Sequence, residues 1–197
     1  MKRLPPFTAL LATAMLLAGC ALTPSVPPRA VYDLGPPPAP PAASTAAGPI
    51  AWRLADVTAA PAIAGEGIAY RLAFQQAQRL EVYRDSTWAA PPAALLTQRL
   101  REQAAAAAPC TPRAPGLITV HLDAFEQVFS SPAQSEVVLR VQATHWPADG
   151  SAATQQSWRL TRPAPSPDAT GAVRGLAEAV DAWVPQWVVW AKGVGCR

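Results

Sequence analysis

Proline limits this chain more than any other residue, and it is unevenly spread. Eleven of the 23 prolines fall in the first 49 residues. A proline fixes φ and lacks the backbone N–H that helices and inner strands use, so this stretch reads as mostly irregular. Residues 50–197 hold the other prolines and all seven tryptophans. That length suits one domain with a real core and is short for two. Only 15% of residues are charged and 50% are apolar. These figures exclude a collagen-like repeat, a coiled coil and a strongly charged nucleic-acid tail.

Residues 1–19 read as an address. Lys2 and Arg3 form a short basic region, and Phe7 to Ala18 is apolar apart from two threonines. The run is too short for a stable transmembrane anchor. It ends in Leu17-Ala18-Gly19-Cys20, which resembles the lipobox of bacterial lipoproteins. Small residues there fit the peptidase, and only the thiol of Cys20 can take a thioether-linked diacylglycerol. The resemblance implies that diacylglycerol and an N-acyl chain such as palmitate on Cys20 are the only added groups, with no other cofactor. Each buried methylene contributes about 0.8 kcal/mol, so three chains hold a protein to a bilayer in effect permanently. By resemblance to the known sorting pattern of such lipoproteins, Ala21 in place of an aspartate favours the outer membrane. Without Lys2 and Arg3 the formal charge of +3 falls to +1. The basic balance therefore belongs mainly to the leader and points to no nucleic-acid partner.

Residues 20–49 read as the lipidated N-terminus and a tether. Gly35-Pro36-Pro37-Pro38-Ala39-Pro40-Pro41 suits polyproline II. One island, Val31-Tyr32-Asp33-Leu34, alternates weakly and reads as a short edge strand.

Residues 50–197 carry regular patterns. Ile50, Trp52 and Leu54 alternate with smaller or polar residues, a strand signal. Gly65-Glu66-Gly67 marks a turn before Ile68–Leu72, which alternates again, and Leu80–Tyr83 reads as a further short strand. Pro91-Pro92 opens a helix, because proline suits the first turn. Leu96, Leu100 and Ala104 make its apolar stripe, with Arg99, Arg101 and Glu102 placed mostly off it. Pro109 ends it. Three strands follow. Ile118, Val120, Leu122 and Ala124 share one face in the first, and Val137, Leu139, Val141 and Ala143 in the second. In the third, Trp158 and Leu160 alternate with Ser157, Arg159 and Thr161. The links at Ser130-Ser131-Pro132 and Ala148-Asp149-Gly150 suit antiparallel hairpins. Asp168 or Thr170 caps a last helix that Pro185 should kink or divide. The order β-β-β-α-β-β-β-α predicts a single α+β domain, a mixed or antiparallel sheet covered by two main helices.

An ordered set of residues resembles the ABC-type transport auxiliary lipoproteins, the PqiC-like group. It comprises Tyr32-x-Leu34, Gly67-x-x-Tyr70-Arg71, Tyr83 and Trp88-Ala89-x-Pro91-Pro92-x-x-Leu95-Leu96-x-x-x-Leu100. Leu122-x-x-Phe125-x-x-x-Phe129 and Asp168-x-x-Gly171 complete it. The resemblance implies a periplasmic lipoprotein of the outer membrane that is not an enzyme. It would serve an MCE-type ABC system moving lipids between two membranes, docking the periplasmic MCE subunit. Assembly into a homo-oligomeric ring fits the group. The rival is a stand-alone structural or assembly lipoprotein of the envelope.

Several side chains are candidates for binding or chemistry. Tyr83 and Trp88, with Pro91 and Pro92, are either a docking surface or packing at the helix start. Trp183, Trp187 and Trp190 share one stripe, which either grips a lipid or partner or packs on the sheet. With Cys20 acylated, Cys110 and Cys196 remain, and an oxidising periplasm suggests one disulfide. Closing so long a loop would contribute on the order of 4 kcal/mol in the chain-entropy model. His121 and Asp123 lie at i and i+2 on one strand face, but His145 points to the other face and no third metal ligand is evident. A Cys110–His121–Asp123 hydrolase lacks any feature that would activate the thiol.

Overall fold

Ile118, Val120 and Leu122 alternate with Thr119, His121 and Asp123 because a strand turns successive side chains to opposite faces. In the computed structural model they lie in the longest strand of the sheet. The structure describes residues 28–38, 52–105 and 116–195. In chain order the elements are β1 (Ala30–Tyr32), β2 (Trp52–Leu54), β3 (Thr58–Ala59), a 3-10 turn (Pro61–Ile63) and β4 (Gly67–Leu72). Then come α1 (Ala73–Gln76), β5 (Glu81–Trp88), α2 (Pro92–Ala105), β6 (Gly116–Ser131), β7 (Gln134–Trp146), β8 (Thr154–Pro163) and α3 (Ala169–Gly195).

The sheet is mixed, with strand order β1-β5-β4-β6-β7-β8. Strands β6, β7 and β8 form an antiparallel meander. The other edge of β6 carries β2, β3 and β4 end to end, all parallel to it. Strand β1 closes the far edge, parallel to β5. The expected α+β architecture, a mixed sheet under two main helices, is the one found. Strand β3 and helix α1 are additions that their two and four residues were too short to announce. Strand β5 is longer than expected, running on to Trp88.

The core lies on one face, between sheet and helices. Leu96 and Leu100 of α2 and Leu176, Val180, Trp183 and Trp187 of α3 pack on Ile118, Leu122, Leu139 and Val141. The opposite sheet face is polar. It carries the Arg71–Glu126 ion pair at 3.0 Å and the Thr58 hydroxyl 2.8 Å from His121 Nδ1.

Three expectations are corrected. Ala124 does not share the face of Leu122. Asp123 is an extra residue in a β-bulge, so Leu122 pairs with Val141 while Ala124 pairs with Arg140. A bulge shifts the alternation by one, and Phe125, Gln127 and Phe129 thereby take the core face. Pro185 does not divide the last helix, which runs unbroken from Ala169 to Gly195. Packing on one continuous face outweighs the single hydrogen bond that a proline removes. Arg99 is not off the buried stripe: it is only 4% exposed. Its guanidinium meets Asp181 of α3 at 2.7 Å and donates to the carbonyls of Leu34 and Gly35 at 3.1 and 2.7 Å.

Candidate functional site

The aromatic candidates fall into two groups. Tyr83 sits where β4, β5 and β6 meet the start of α3. Its ring lies 4.6 Å from that of Tyr70, and Tyr70 meets Phe129 edge-on at 6.2 Å. The Tyr83 hydroxyl donates to Gln127 Oε1 at 2.6 Å. Gln127 is fully buried, and its amide donates to the Ser135 hydroxyl at 2.8 Å and the Ser166 carbonyl at 3.1 Å. A buried amide with its donors and acceptor used is stable in place, whereas a half-satisfied one would be costly. Burial, and then the nearby Asp168 charge, pushes the Tyr83 phenol well above the usual tyrosine range. The hydrogen bond to Glu81, followed by burial, raises Tyr70 as well. Both phenols are held protonated and serve as donors.

Asp168 continues this network. Its carboxylate accepts the Ser166 hydroxyl at 2.7 Å and the Gly171 backbone N–H at 2.8 Å, capping α3. Gly171 is tight against the same loop, since a Cβ there would stand 2.0 Å from the Ser166 carbonyl oxygen. The Gly171 hydrogen bond, then that from Ser166, holds the Asp168 carboxyl below the usual carboxylate range. Its capping contribution is therefore present above the unfolded carboxyl pKa and fades as pH falls through the lower folded value. Asp168→Ala is expected to cost about 1 kcal/mol at neutral pH. The difference from the parent should shrink toward zero in strong acid, as chemical denaturation at a series of pH values will measure.

The tryptophans form the second group. Trp88 is 1% exposed at the end of β5, with Phe125 at 5.4 Å between ring centres. Trp183 and Trp187 are wholly buried in the helix–sheet seam. Trp158 of β8 meets Trp183 at 6.1 Å and Trp190 at 5.7 Å, both edge-on. Trp190 is only partly buried. A shallow groove of about 460 Å³ runs between β1 and α3, lined by Val31, Tyr32, Leu34, Val173 and Ala177 among others.

His121 and Asp123 lie on the polar sheet face, with Nε2 and Oδ1 3.8 Å apart. Among the described residues no group of three or more His, Cys, Asp or Glu side chains could hold a metal ion. Cys20, Cys110 and Cys196 lie outside the described residues, and so does the Cys110–Cys196 pairing. Sequence reasoning missed Arg99 and Gln127 as the polar centres of the fold.

The family model of the ABC-type transport auxiliary lipoprotein component matches residues 32–186. The chain belongs to that family. All the motif residues from Tyr32 to Gly171 that carry the resemblance lie inside this span. The chain is also similar in fold to the crystal structure of a Xanthomonas campestris protein of the family DUF330, with a TM-score of 0.61. The two are 19% identical over 83% of this chain and 90% of that one. A crystal structure of an uncharacterized protein is similar at TM-score 0.60 and 15% identity, covering 85% of this chain and 99% of that one. No curated protein matches. The family is one of auxiliary transport components, which accords with a place in the cell envelope and an ABC-type transport system as partner. No helix among the described residues is long and apolar enough to cross a membrane.

Proposed function

We propose that this chain is a lipoprotein anchored to the periplasmic face of the outer membrane by acyl chains on Cys20. In this reading it is the non-enzymatic auxiliary component of an MCE-type ABC system that moves lipid between two membranes. The observation that carries the reading is the family match over residues 32–186, placed behind Leu17-Ala18-Gly19-Cys20. The mechanism is positional. The anchor fixes the domain to one membrane, and the folded body binds a partner reaching from the other. Tethering raises effective concentration, so a modest docking affinity suffices.

Cys20→Ala is expected to leave the fold intact and move the protein from the outer-membrane fraction to the soluble periplasmic one. Membrane sedimentation of that variant at the parental level would defeat the anchor. Affinity purification of the acylated protein from envelopes is expected to bring an MCE subunit with it. Its reproducible absence would favour a stand-alone structural lipoprotein.

A further inference from the structure

The sheet begins at Ala30, within the segment that its prolines mark as tether. Tyr32 pairs with Trp88, Leu34 is buried, and Arg99 holds the Leu34 and Gly35 carbonyls. Residues 39–49 therefore join two strands of one sheet, β1 and β2, and do not lengthen the path to the membrane. Eight residues lie between Cys20 and Arg29, nine Cα-to-Cα steps in all. Whatever their conformation, they span at most about 30 Å. Strand β6 alone, at sixteen residues, is roughly 50 Å long.

The chain also leaves the domain in a definite place. Strand β1 runs parallel to β5 with Ala30 beside Ser86. Through Gly67 beside Thr87 and Ala69 beside Glu126, Ala30 lies about level with Phe125 of β6. The chain preceding it points toward the end bearing α1 and the β4–β5 connection, and Arg29 Nε donates to the Arg84 carbonyl at 3.0 Å on that side. That end is about six residues away along β6, or roughly 20 Å. The opposite end, at Gly116, is about nine residues or roughly 30 Å away in the reverse direction, which would consume the whole reach. The near end exposes Phe74 (40%) and Val82 (56%), and Arg84, 3.4 Å from the Asp85 carboxylate, is almost fully solvent-facing. Apolar side chains beside guanidinium groups suit the boundary between acyl chains and phosphate head groups.

We propose that the α1 and β4–β5 end of the domain faces the bilayer that carries its anchor. The opposite end, with the β7–β8 link, then stands outermost. The proposal rests on the reading that Cys20 is acylated. The test uses the full acylated chain in vesicles of phosphatidylethanolamine and phosphatidylglycerol containing a head-group nitroxide lipid. A genetically encoded fluorescent residue replaces Gln75 in α1 or Ala152 in the β7–β8 link. Quenching at position 75 is expected to exceed that at 152 by about threefold or more. Inserting about twenty Gly/Ser residues between Pro24 and Ser25 adds up to about 70 Å of reach and should abolish most of that difference. The same insertion between Pro40 and Pro41 should leave it unchanged. Equal quenching at the two positions, a reversed order, or equal effects of the two insertions would overturn the proposal. If mass spectrometry finds Cys20 unmodified, the anchor falls and this orientation with it. If the chain is acylated and floats with vesicles but the order is reversed, only the orientation falls.

Discussion

Alanine at position 99 is expected to lower stability by about 3 kcal/mol and Tm by roughly 6–12 °C. Arg99 is 4% exposed and makes three charge-assisted contacts, to Asp181, Leu34 and Gly35. They join α2, α3 and the segment that follows β1. Truncation leaves the Asp181 carboxylate without its counter-charge, which is the costly way to break a buried pair. Asp181 keeps 29% of its side-chain surface, so the cost falls toward the lower part of the usual range. Burial already raises the Asp181 carboxyl above the usual carboxylate range, against the attraction of Arg99. Once the guanidinium is gone, that opposing pull disappears and the carboxyl should rise further. Asp181→Asn keeps an acceptor for Arg99 and is expected to cost less. Thermal unfolding in the Cys20→Ala background measures both, and amide exchange should show residues 30–35 opening first in Arg99→Ala. A Tm within about 2 °C of the parent would show that Arg99 does not hold the helices and β1 together.

Arg99 also shows where sequence reasoning stops. Leu96, Arg99, Leu100 and Gln103 stand at helical intervals of three and four, so the spacing itself put Arg99 beside the buried leucines. Its charge argued for solvent, and the partners that offset the cost of burying it lie 65 and 82 residues away in sequence. Gln127 is the same case, since its partners Tyr83, Ser135 and Ser166 come from three separate parts of the chain. The meander β6-β7-β8 was legible because alternation persists over many residues and reports burial directly. The bulge at Asp123 had a trace in the adjacent apolar pair Ala124-Phe125, where strict alternation fails. Strand β3 had none, because two residues carry no period and its pairing is set by β6. The edge strand at Val31 was visible as a local pattern. Its role in closing the sheet was not, because that depends on β5 and on Arg99.

The tryptophan stripe gives the other large effect. Trp183 is fully buried between Trp158 of β8 and the neighbouring core of α3. Trp183→Ala is expected to cost about 3–5 kcal/mol, through lost transfer energy and the cavity left behind. Trp190, further along the same helical stripe, is partly buried against the core and meets Trp158 edge-on. Trp190→Ala should cost about 1 kcal/mol, the scale of an aromatic contact with limited burial. The contrast matters for function as much as for folding. A residue used to dock a partner loses binding while stability stays near the parent, and a packing residue does the reverse. Chemical denaturation of both variants, alongside capture of the transport partner by the acylated protein, separates these roles. If Trp183→Ala unfolds at the parental denaturant midpoint, the helix–sheet seam is not where the stability of the domain resides. If Trp190→Ala keeps its stability but loses the partner, the exposed end of α3 belongs to the docking surface.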